Sequence, residues 1–83
     1  MDISQAHRSG KQAAIAAFGG VGKVADALGI SSQAVSQWPR IPEDRAIELA
    51  REAQRLGLAL TLHDMRPDRW DPDATVQMLP GAA

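Results

Sequence analysis

Apolar residues recur at helical spacing along most of the chain, most clearly as Val21, Val24, Ala25 and Leu28, at i, i+3, i+4 and i+7. That stripe predicts two turns of helix ended by Gly29. Ahead of it, Ser9-Gly10-Lys11-Gln12 has the S-x-x-Q form of a capping box, which predicts a first helix from about Gly10 to Phe18. Ala14, Ile15 and Phe18 would share its buried face, and Gly19-Gly20 would stop it, because glycine accepts the left-handed conformation of a helix end. After Ile30, Ser31 and Ser32 are good N-caps for a short third helix. One side of that helix would carry Ala34, Val35 and Trp38, the other Ser32, Gln33, Ser36 and Gln37. Pro39 lacks an N–H and clashes with the preceding turn, so the helix should end near Trp38. Arg40 and Ile41 read as a linker and Pro42 as a helix start. Ala46, Ile47, Ala50, Ala53 and Leu56 then predict a fourth helix over about Glu43 to Leu56, closed by Gly57.

Leu58, Leu60 and Leu62 alternate with smaller residues, which suits either a short strand or, with Thr61-Leu62-His63-Asp64 as a cap, one further helical turn. The prolines, aspartates and small residues from Asp71 onward read as a frayed tail. The expected organisation is a flexible start over residues 1–9, one domain over 10–70 with a C-terminal dimerisation segment, and a flexible tail over 71–83. The fold class expected is all-α, a bundle of four to five short helices.

Composition narrows the choice of chemistry. With 83 residues there is room for one core, and fifteen of the apolar residues are alanine, which favours closely packed helices over a β-sandwich. The absence of cysteine removes disulfides, thiolate metal sites and a cysteine nucleophile. His7 and His63 form no metal cluster, and Asp71 and Asp73 lack the glycine and terminal glutamate of a calcium loop. No catalytic grouping or cofactor motif is present, so an enzyme is the least supported class. No apolar run approaches a membrane span, and a soluble cytoplasmic protein is expected. Net charge is −1, but residues 1–40 carry +2 and the remainder −3. A mildly positive half suits one face approaching an anion.

Val21 to Trp38 has the outline of a helix-turn-helix: an aliphatic stripe, a glycine turn, then a helix with an amide and hydroxyl face. Val21, Val24, Ala25, Leu28, Gly29, Ile30, Val35 and Trp38 would form its core, with Ala25 small where the helices cross. Gln33 and Gln37 lie four apart, and a glutamine amide can engage N6 and N7 of adenine together. Base reading would rest on Ser32, Gln33, Ser36 and Gln37. Phosphates would meet the helix start at Gly20, Val21 and Gly22, with Lys23, Ser31 and Arg40.

Phe18-Gly19-Gly20-Val21, Ala25-x-Ala27-Leu28-Gly29-Ile30-Ser31 and Gln33-Ala34-Val35-Ser36-Gln37-Trp38 resemble the Cro-type helix-turn-helix repressors, including YdaS-like antitoxins. Ile41-Pro42-Glu43-x-Arg45-Ala46-Ile47-x-Leu49 and Met65-Arg66-Pro67-Asp68 are similar to that family's fourth helix and its following L-R-P-D stretch. The resemblance spans roughly residues 14 to 70. It implies a λ-repressor-like fold and a transcriptional regulator of phage, prophage or toxin-antitoxin type that binds duplex DNA. Pro39 departs from the pattern, which usually continues with Lys, Arg or Gly, and the acidic second half is a further departure.

A bidentate base contact discriminates by roughly 1–3 kcal/mol, whereas specific binding exceeds non-specific binding by roughly 4–10. Two or three readers on one helix are therefore marginal, and two copies suffice. A homodimer would place recognition helices about 34 Å apart on a palindromic operator. Leu58, Leu60, Leu62 and Trp70 are the expected joining surface. The alternative is a protein-interaction module that engages a partner such as a toxin through the fourth helix and the C-terminal segment.

Overall fold

A computed structural model of the chain describes residues 3–78, with side chains over residues 10–77. Five helices follow in order: α1 (Ile3–Phe18), α2 (Val21–Leu28), α3 (Ser32–Gln37), α4 (Glu43–Leu56) and α5 (Leu62–Met65), then a 3-10 turn over Val76–Met78. No strand occurs among the described residues, so the all-α reading holds.

The glycine stops work as the sequence predicts. Gly29 adopts φ 69°, and Gly29 and Ile30 return their N–H groups to the carbonyls of Asp26 and Ala25, closing α2 with a Schellman turn. Gly57 closes α4 the same way, through Gln54 and Ala53. The start of α1 differs from expectation. The helix begins at Ile3, so Ser9 lies inside it rather than at its cap, and residues 3–9 are helical backbone. Gly10 is a packing residue and not a helix boundary. A Cβ there would stand 2.2 Å from the Met65 carbonyl oxygen, so only glycine lets α1 lie directly on the end of α5. Residues 1–2 lie outside the described residues, as does the side chain of His7.

The core is filled from every helix, its largest fully buried side chains being Ile41, Leu49, Leu62, Met65, Val24 and Val35. Leu56, expected on the buried face of α4, is instead 50% exposed, and Leu49 takes the central position. Ile41 is more than a linker, since its side chain is fully buried.

After α4 the chain takes the helical alternative. The Thr61 hydroxyl accepts from the Asp64 N–H and the Asp64 carboxylate accepts from the Thr61 N–H, a reciprocal capping box that starts α5. This turn buries Leu62, and Leu60 beside it is 7% exposed. The expected joining surface is therefore corrected: Leu60 and Leu62 are spent on the monomer's own core, and only Leu58 and Trp70 are half-buried. Residues 71–78 of the expected tail are described. The Ala74 N–H bonds the Asp71 carbonyl, and Ala74 and Val76 pack half-buried against the core. Residues 79–83 lie outside the described residues.

Arg66 ties this C-terminal segment to the middle of the chain. It is 6% exposed, donates from Nε and one terminal nitrogen to both oxygens of Asp68, and donates from the other to the Ile41 carbonyl at 3.0 Å. The hydrogen bond to Asp68 raises the guanidinium pKa against the opposing cost of burial, so the group stays charged in the fold.

Gly10→Ala reverses the usual sign of a helical substitution. Exchanging an open helical glycine for alanine gains up to about 1 kcal/mol. At Gly10 the overlap with Met65 should instead cost about 1–3 kcal/mol. Gly22→Ala, where no atom lies within 4 Å of the new Cβ, should be neutral or stabilising. The urea unfolding midpoint should fall for Gly10→Ala and hold or rise for Gly22→Ala.

Candidate nucleic-acid interface

α2 and α3 are joined by Gly29, Ile30 and Ser31, and each residue has a distinct duty. Gly29 supplies the left-handed turn and Ile30 packs half-buried against the core. Ser31 caps α3, its Oγ accepting from the Ala34 N–H at 3.1 Å. Val35, fully buried, anchors α3 to the core, and Val24 and Ala25 are buried on α2 beneath it. Val21, Leu28 and Trp38 are half-buried at the margins. The eight expected core positions thus fall in or around one helix-turn-helix, with Gly29 exposed at the bend.

The four polar residues of α3 stand on its other side. Ser32, Gln33, Ser36 and Gln37 are all exposed. None of their side chains makes a hydrogen bond to another described residue, which leaves both amides with donor and acceptor available. At i and i+4, Gln33 and Gln37 project from successive turns of the same face.

The N-terminus of α2 begins at Gly20, with φ 140° and no side-chain cap, so its first N–H groups have no side-chain acceptor. Gly22 and Lys23 are exposed there, Val21 and Gly20 half-buried. Ser31 spends one lone pair on Ala34 and keeps its O–H to donate. Arg40 is exposed just beyond α3.

Charge is distributed more favourably than the totals suggest. Arg45 pairs with Glu48, Arg55 with Glu52, Arg66 with Asp68 and Arg69 with Glu43. Among the described residues, Lys11, Lys23, Arg40 and Arg51 are in no ion pair; Lys23 lies on α2 and Arg40 just beyond α3. The acidic half thus largely neutralises its own arginines and leaves the basic residues around α2 and α3 unopposed by an ion partner.

Two residues that position this site were not picked out from spacing. Lys11, on α1, donates to the carbonyls of Ser36 at 2.9 Å and Trp38 at 3.0 Å, at the end of α3. Arg66 fixes Ile41, on the chain leaving α3. His63 is locally bonded: its Nδ1 lies 2.7 Å from the Trp70 carbonyl, which can only accept, so that nitrogen carries the proton. The described residues contain no group of three or more metal-ligating side chains, and no described helix is long and apolar enough to cross a membrane.

Compared with known proteins, residues 10–54 match a family model described as DNA-binding transcriptional regulator Cro. No curated protein and no solved structure matches the chain.

The Ser31 cap offers a local test. Ser31→Ala should cost about 1 kcal/mol of unfolding free energy. Hydrogen exchange should place the loss at the Ala34 amide and its neighbours in α3 rather than in α4.

Proposed function

The chain belongs to the family of the DNA-binding transcriptional regulator Cro, and from that premise we propose that it binds duplex DNA sequence-specifically through α3 in the major groove. The carrying observation is that Ser32, Gln33, Ser36 and Gln37 are all exposed on a helix whose opposite side is anchored by the fully buried Val35. A groove about 12 Å wide admits a helix held in this way. Gln33 and Gln37 present the paired donor and acceptor that adenine requires, and Ser32 and Ser36 bond bases or neighbouring phosphates. The α2 N-terminus at Gly20, Val21 and Gly22, the Lys23 ammonium, the Ser31 hydroxyl and the Arg40 guanidinium hold the backbone and set register.

Bound at a promoter in the cytoplasm, such a protein represses by occluding polymerase. The modest number of readers on one α3 supports action as a homodimer on a palindromic site. With Leu60 and Leu62 committed to the core, the apolar surface left for joining two copies is the exposed Leu56 and the half-buried Leu58 and Trp70. Leu58 opens onto a groove of about 250 Å³ shared with Ala50, Leu60, Ala74 and Val76.

Selection of bound duplexes from a randomised pool should return a two-fold symmetric site. Against that site, Gln33→Ala and Gln37→Ala should each lose about 1–3 kcal/mol of discrimination with unchanged helical circular dichroism. A pool showing no enrichment, or a double variant with intact preference, would overturn the reading. Lys23→Ala and Arg40→Ala should each weaken all sequences alike and lower the slope of log affinity against log salt by about 1. A protein-docking role for α4 requires, in contrast, binding that survives added salt.

A further inference from the structure

The end of α3 is built unlike those of α2 and α4. Those helices close on left-handed glycines, whose turns return N–H groups to the last carbonyls. Trp38 at the end of α3 is extended, with φ −64° and ψ 126°, and Pro39 after it has no N–H to give. Among the described residues, no backbone N–H outside the helices donates to the carbonyls of Ser36 or Trp38. Both are met by one side chain from another helix: the Lys11 ammonium, 25 and 27 residues earlier in the chain. A cation suits this place, because the unsatisfied carbonyls of a helix C-terminus carry partial negative charge.

We propose that Lys11 is the positioning residue of the recognition helix, setting the pose in which α3 presents its glutamines without itself touching DNA. The proposal rests on the reading that α3 enters the groove. Gly29 and Ser31 fix the first turn of α3 and Val35 its middle; among the described residues, Lys11 supplies the one side-chain hydrogen bond to its last turn. Ser36 and Gln37 lie in that last turn and Gln33 in the first. Releasing the clamp should therefore degrade the contact made by Gln37 more than that made by Gln33. The pairing also removes Lys11 from the count of cations available to phosphate, although it stands in the basic half of the chain.

The test compares the full-length wild type with Lys11→Met, which keeps the alkyl stem, and Lys11→Arg, which keeps donors and charge. In the free proteins, Lys11→Met should speed exchange of the amides from Val35 to Trp38 by about tenfold, the scale of a lost charge-assisted bond, while Val24 and Leu49 are unchanged. Lys11→Arg should recover most of that protection. On the selected duplex, Lys11→Met should lower the ratio of specific to non-specific affinity by about tenfold. Its salt slope should stay at the wild-type value. A slope lowered by about 0.9 would identify Lys11 as a phosphate contact and overturn the proposal. So would unchanged α3 exchange, acceleration spread evenly over all helices, or unchanged discrimination despite faster α3 exchange. If the wild type prefers no duplex, the groove reading fails, and exchange in the free protein still decides whether Lys11 holds α3.

Discussion

A helix of six residues has no stability of its own in water, because the cost of nucleating its first turn is not recovered over so few hydrogen bonds. Everything that α3 presents to a partner depends on what holds it from outside. The chain supplies four such holds: the Gly29 turn, the Ser31 cap, the buried Val35 and the Lys11 bridge from α1. Only Ser31 and Val35 belong to α3 or its cap. The rest of the fold is the frame on which a short polar ridge is mounted, and Ala14, Ala25, Ala46, Ala50 and Ala53 are buried within that frame.

Net acidity and an anionic partner are reconciled by where the carboxylates are used. Glu43, Glu48, Glu52 and Asp68 each face an arginine, and Asp64 caps α5. Arg55 holds the Glu52 carboxyl below its ordinary range, chiefly through their hydrogen bond. The exposed pairs among them, Arg45–Glu48, Arg55–Glu52 and Arg69–Glu43, contribute little to stability. None of these carboxylates is paired with Lys23 or Arg40.

Much of this was legible in the sequence wherever one local rule decided the outcome. The stripe from Val21 to Leu28, the stops at Gly29 and Gly57, the Ser31 cap and the bounds of α4 each follow from neighbours a few residues away. The exposed face of α3 follows from the same periodicity. What was not legible depended on partners remote in the chain. Gly10 looks like a helix start unless one knows that α5 lies against it. Leu58, Leu60 and Leu62 alternate like a strand, yet the Thr61–Asp64 box and the space beneath α4 decide for a helical turn. Pro39 signals that α3 needs help at its end, but nothing nearby says that Lys11 provides it. The resemblance to Cro-type repressors included Met65-Arg66-Pro67-Asp68 as a motif, and its physical content is the bidentate grip on Asp68 and the bond to the Ile41 carbonyl.

The family match ends at residue 54, while Leu62 and Met65 are among the largest fully buried side chains and Arg66 reaches back to Ile41. The stretch that carries shared ancestry is thus shorter than the stretch that closes the protein interior. Residues 55–68 act as a lid sealed from one side by α1 at Gly10 and from the other by Arg66. A minimal autonomous unit must extend through that seal, and its two fastenings adjoin the ridge's own supports: Gly10 is the neighbour of Lys11 in α1, and Arg66 grips the chain three residues beyond Trp38.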